Sequence, residues 1–203
     1  MTQIRSAAQE AAEDIFFGQA VIIYARWFVI VTGVLVVLWT SNDVSELTLA
    51  VLMIVPLIAI NFFVHGRYLV ERPINQVLLL ALSVVDLLII TLIVLVWQEP
   101  NGFESPYFIL YYPIVLAVAF VFSIRVSVVY TAFCLILYSA SVIVYDLAIQ
   151  DATMLSDPHQ IEWLFVRLIT LGAVGGLGAF YWRIQRQRRR MASGQREMAP
   201  TNP

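Results

Sequence analysis

The sequence predicts an all-α integral membrane bundle of six transmembrane helices with both termini in the cytoplasm. Three observations carry that expectation. First, 61% of the 203 residues are hydrophobic and only 13% are charged, with a mean hydropathy of +0.83; a soluble domain is about half apolar and a quarter charged. Second, apolar runs recur at the length of a bilayer-crossing helix, about 20 residues. Third, the basic residues, all arginine, alternate between the segments that join those runs.

The elements follow in order. Residues 1–19 form a polar N-terminal segment, acidic over MTQIRSAAQEAAED, which argues against a cleaved signal peptide. Within it, Ser6–Phe17 can form a short amphipathic helix on the inner surface. The transmembrane domain, 20–182, reads as Ala20–Trp39, Leu47–Val64, Asn75–Trp97, Tyr107–Phe122, Val126–Leu147 and Ile161–Trp182. Pro73 precedes the third span; Ser105 and Pro106 open the fourth as N-cap and first helical residue. Pro56 and Pro113 lie inside spans, where each removes a backbone donor and kinks its helix. Residues 183–203 are a basic tail, expected to prolong the sixth span as a helix until Pro200. No tandem repeat is visible, nor a correspondence between halves of the kind many transporters show.

Orientation comes from charge. Arg5, Arg67, Arg72, Arg125 and the Arg183–Arg196 cluster fall on one side, and Asp43, Glu46, Glu99, Glu104, Asp151, Asp157 and Glu162 on the other. The positive-inside rule makes the arginine side cytoplasmic. Aromatic residues mark both interfaces: Trp39, Trp97, Tyr107, Tyr145 and Trp163 outside, Tyr24, Trp27, Tyr68, Tyr181 and Trp182 inside.

Asp86 sits at the centre of the third span, in the 21-residue run Val77–Trp97, whose other polar side chains are Ser83 and Thr91. An ionised carboxylate there costs about 3 kcal/mol, so it needs a partner, a proton or a function. Other charges inside spans are Arg26, Arg167 and Asp146. At about 1.5 Å per residue, Arg26 and Arg167 each lie about 6 Å in depth from Asp86, within side-chain reach. Ser83 shares its face, three residues away. The group reads either as a structural ion pair or as a polar floor for a ligand or protonation switch.

Gln98 to Pro113 form a turn-rich loop running into a helix with three early tyrosines, Tyr107, Tyr111 and Tyr112. This pattern fits an aromatic belt, or a site for an apolar ligand with a polar head, such as a quinone. In the sixth span, Gly172 and Gly176 are spaced as GxxxG, and Gly175 and Ala179 make a second small pair. They predict close packing, within the monomer or in a homodimer. The arginine tail reads as an anchor on anionic lipid or as a signalling linker. His65 and His159 fall on opposite sides, the single Cys134 cannot form an internal disulfide, and no metal cluster, nucleophile–base pair or phosphate loop is present. Neither an enzyme, a required cofactor nor nucleic-acid binding is expected.

Four places carry a resemblance: Ala25-Arg26-Trp27; Asp86-Leu87-Leu88 with Thr91; Asn101-Gly102 through Ser105-Pro106-Tyr107 with Leu110-Tyr111; and the basic exit after the sixth span. The chain resembles the six-helix membrane input region of bacterial sensor histidine kinases, the group that includes redox-responsive, quinone-linked members. Asn101 stands where that pattern has the first Gly of its loop, and Tyr107 where it has Phe. No phosphoacceptor or ATP-binding domain follows Met191 in the chain. The resemblance implies a multi-pass protein of the bacterial inner membrane and a role in two-component signalling. It points to Arg26, Asp86, Asn101, Ser105, Pro106 and Tyr107 as sensing residues and to a quinone-like ligand.

The expected function is therefore a sensory or regulatory module that relays a lipid-phase or outer-face cue through the sixth span to itself or a cytoplasmic protein. The alternatives are an accessory subunit of a photosynthetic or respiratory complex and a proton-coupled transporter using Asp86.

Overall fold

In the computed structural model, the described residues are 7–40, 44–70, 74–96, 105–149 and 156–197, and every regular element among them is a helix. They are α1 (Ala7–Thr40), α2 (Val44–Leu69), α3 (Gln76–Val96), α4 (Tyr111–Val121), α5 (Ile124–Ile149) and α6 (Pro158–Glu197), with a 3₁₀ turn, Pro106–Leu110, leading into α4. Arg5, Arg72, Pro73, Trp97 and Asn101, all singled out from the sequence, lie outside the described residues.

Four stretches are long and apolar enough to cross a bilayer: Phe16–Thr40, Gln76–Leu95, Ile124–Ile149 and Pro158–Tyr181. Two more apolar stretches are shorter, Ile54–Leu69 and Pro106–Val121. Large apolar side chains also cover the outside, among them Leu35, Phe62, Leu88, Val129, Phe165 and Ile169. Apolar faces turned outward on helices that are also apolar inward belong to a multi-pass membrane protein.

Two sequence expectations change at helix ends. Residues 7–17 do not form a separate surface helix: α1 runs unbroken from Ala7 into the bundle. Ser105 does occupy the N-cap position, but its side chain makes no capping bond. Its carbonyl instead accepts from the Phe108 N–H at 3.4 Å. The helix therefore starts as a 3₁₀ turn, with Pro106 exposed and the Ser105 side chain turned inward.

Successive helices run antiparallel. Arg67, Arg125 and Arg183 mark one end of the bundle, here the basic end; Asp157 and Glu162 mark the other, the acidic end. The short α4 is the hub, packed against α1, α3, α5 and α6. α1 and α6 make no close approach to each other among the described residues, because α4 lies between them. Near its basic end, α4 is clasped from both sides. A Cβ on Gly18 of α1 would lie 2.8 Å from Val121, and one on Gly178 of α6 would lie 2.7 Å from the Cβ of Ala119. On α5, Thr131 leaves no room for a side chain at Gly175.

Within the monomer the two small-residue pairs of α6 are used differently. Gly175, with Ala179 buried nearby, does lie in a tight seam. The GxxxG pair does not: a Cβ on Gly172 would only touch Leu135 at 3.9 Å, and Gly176 has nothing within 4 Å. Spacing identifies a face of a helix, but neighbours decide which face is used. A polar staple joins the basic ends of α1, α2 and α3. Gln19, fully buried, donates to the Val64 carbonyl at 3.2 Å and accepts from the Ile74 N–H at 3.1 Å.

Candidate functional site

The centre of the bundle is ionic. The Arg26 Nε of α1 donates to Asp86 Oδ2 of α3 at 2.7 Å, with the two side chains 3% and 1% exposed. Of the two partners that depth alone allows, Arg26 is therefore the one used. Arg167 is not, because α6 packs on α4 and α5 and never reaches α3. Its Nη1 donates to the Tyr138 hydroxyl at 3.1 Å, and its guanidinium lies 5.1 Å from the centre of the Phe108 ring. Depth is legible along a helix axis; direction around it depends on the packing.

The ion pair uses little of its hydrogen-bonding capacity. Both Nη atoms of Arg26 and Oδ1 of Asp86 are buried and have no partner among the described residues. Asn61 of α2, fully buried, has neither its amide nitrogen nor its oxygen partnered. It lies close to the depth of Arg26, because the neighbouring Trp27 ring meets Phe62 at 5.3 Å and its Nε1 donates to His65 Nδ1 at 3.4 Å. An unmet buried donor or acceptor costs about 1–3 kcal/mol, and more when the group is charged. Five such atoms, on Arg26, Asp86 and Asn61, are the largest group of buried polar atoms without a partner among the described residues.

Of the other polar groups nearby, Ser127 Oγ of α5 is also buried without a partner among the described residues, while those of Ser83 and Tyr130 are satisfied. The Ser83 hydroxyl, buried as expected on the face of Asp86, donates to the Leu79 carbonyl at 3.0 Å. The Ser83 carbonyl in turn accepts from Tyr130 of α5 at 2.8 Å. Asp146 is buried near the acidic end of α5.

The tyrosine-rich start of α4 is a second region. Each hydroxyl meets a threonine on a different helix at 2.8 Å: Tyr107 with Thr40 of α1, Tyr111 with Thr91 of α3, and Tyr112 with Thr170 of α6. Every one of those threonines already donates to a carbonyl of its own helix, at Val36, Leu87 and Arg167 respectively. The tyrosines are therefore the donors. The arrangement needs one proton per hydroxyl and ties α4 to three neighbours. The rings of Phe108, Tyr111 and Tyr138 pack together with centroids 4.8–5.7 Å apart, in tilted and edge geometries favourable for aromatics.

The candidate sensing residues thus fall into two groups. Arg26, Ser83 and Asp86 meet at mid-depth; Ser105, Pro106, Tyr107, Tyr111 and Arg167 gather at the acidic end; Asn101 lies outside the described residues. Sequence reading passed over Asn61, Gln19 and Tyr130. The available signal was a carboxamide or hydroxyl inside an apolar stretch, weaker than a charge. Among the described residues no group of histidine, cysteine and carboxylate side chains could hold a metal ion. No family model matches the chain, and comparison with curated proteins and with solved structures yields no significant match.

Proposed function

We propose that the chain is a six-span sensory or regulatory module of the bacterial inner membrane, with both ends cytoplasmic, that relays a lipid-phase or outer-face cue to a cytoplasmic partner or to a second copy. The observation that carries this reading is α6, a single 40-residue helix from Pro158 to Glu197. It begins at the acidic end, passes the clasp on α4 at Gly178, and continues past Arg183 without a break. A rigid helix spanning the bundle and leaving it converts a change of packing inside into a displacement outside. A ligand shifts such an equilibrium only by its differential affinity for the two packings. The resemblance to sensor-kinase input regions supports the same role.

Six spans follow if α2 and the 3₁₀–α4 unit also cross. The latter is about 26 Å long by its helical rises, close to the hydrocarbon thickness. Its position at the hub shields it from lipid, so its shorter apolar stretch is no obstacle.

Topology and role are tested separately. In a Cys134→Ser background, Arg125→Cys should resist a membrane-impermeant maleimide in intact cells and Ser156→Cys should react; the reverse pattern overturns the orientation. For the role, residues 1–197 fused to a dimeric kinase output domain should give activity that varies with helical phase as residues are inserted after Gln185. A flat response, or stoichiometric co-purification with a respiratory or photosynthetic enzyme in mild detergent, removes the relay in favour of the accessory-subunit reading.

A further inference from the structure

The unpaired atoms at mid-depth define a binding site, and their chemistry selects its occupant. Arg26 presents the N–H groups of both Nη atoms and Asn61 those of its amide, while Asp86 Oδ1 and Asn61 Oδ1 present lone pairs. The occupant must therefore both donate and accept. A carbonyl compound such as a quinone only accepts, and would leave both oxygens unmet. An anion would face the Asp86 carboxylate and a cation the Arg26 guanidinium, so the occupant is neutral. It is also small. Arg26, Asn61 and Asp86 are 3%, 0% and 1% exposed, so no open route leads to them from the surface.

We infer that Arg26, Asp86 and Asn61 hold a cluster of bound water at the centre of the bundle, about two molecules if each makes about three hydrogen bonds. This hydration completes the ion pair. A guanidinium held through Nε alone keeps its Nη face turned to water, so the charges are only partly removed from a polar medium and their desolvation cost falls. The site stands whether or not the bundle signals, since it rests on unmet valences rather than on α6.

The test is water-edited magic-angle-spinning NMR on the uniformly ¹³C,¹⁵N-labelled full chain in lipid bilayers, with Arg26 assigned by connectivity through Ala25 and Trp27. Magnetisation should pass from water to the Arg26 Nη protons several-fold faster than to the amide of Leu87, which is fully buried on α3. It should approach the rate at Arg125, which is exposed. A rate at Arg26 as slow as at Leu87 overturns the proposal. So does a stoichiometric organic molecule in a solvent extract of the purified protein whose removal alone makes the Nη protons exchange with water. Asn61→Leu should slow the transfer to Arg26; an unchanged rate removes Asn61 from the site.

Discussion

The two polar regions of this bundle follow opposite rules. At the acidic end, each of three tyrosine hydroxyls donates to a threonine that has already committed its own proton. At mid-depth, an arginine and an aspartate share one bond while five buried atoms around them, counting Asn61, go unmatched. The first is a finished joint in its tyrosine–threonine pairs, whose hydroxyls are used up in holding helices together, although the Ser105 hydroxyl beside them stays unpaired. The second has capacity to spare. A polar group kept unmatched in an apolar interior costs stability, so the place where valences stay open is where binding belongs.

The largest expected effect breaks the centre. Arg26→Met leaves Asp86 buried without a counter-charge and should lower unfolding stability in detergent by about 3–5 kcal/mol. Adding Asp86→Leu should restore most of that loss; a double variant no more stable than Arg26→Met shows that the charges were not the cause.

Next come overpacking and the joint. Gly178→Ala pushes a methyl into Ala119 and should cost about 1–3 kcal/mol in the same assay. Gly176→Ala, on the open face, should stay within about 0.5 kcal/mol. Tyr111→Phe removes one donor and leaves Thr91 bonded to its own helix, for a loss of about 0.6 kcal/mol. Thr91→Val should cost more, about 1–3 kcal/mol, because it strands the buried Tyr111 hydroxyl. If the two are equal, the pair is not the one-way donation its geometry implies.

Asn61→Leu should also change little, staying within about 0.5 kcal/mol of the original protein, since it deletes an amide that no described residue satisfies. A large destabilisation would place Asn61 in the joint-like class and erase the contrast between the regions.

Much of the helical plan was legible because hydropathy acts locally: a run of apolar residues must be helical in lipid whatever surrounds it. The placement of Arg67, Arg125 and Arg183 at one end was legible from their positions between the apolar runs. The centre was half legible. Asp86 and Arg26 stand out as charges, but depth could not choose between Arg26 and Arg167, since that choice depends on α6 lying behind α4. The tyrosine–threonine pairs were hidden, as they join residues 67, 20 and 58 positions apart. The GxxxG spacing specifies a stripe on α6 and says nothing of whether α4, α5 or a second copy meets it. Asn61 and Gln19 carry ordinary side chains whose importance comes only from being buried.

The glycine clasp on α4 bears on the order of biosynthesis. α4 leaves the ribosome before the two helices that will cover it, α5 and α6, exist. Its contact at Ala119 closes only when Gly178 has been made and has left the ribosome. Until then α4 has only α1, α3 and, once it is made, α5 to lean on, and its side toward α6 must be sheltered by lipid or by the insertion machinery. Ribosomes arrested while Gly178 is still inside the exit tunnel should therefore hold an open, protease-sensitive bundle, and those arrested after it has emerged a closed one.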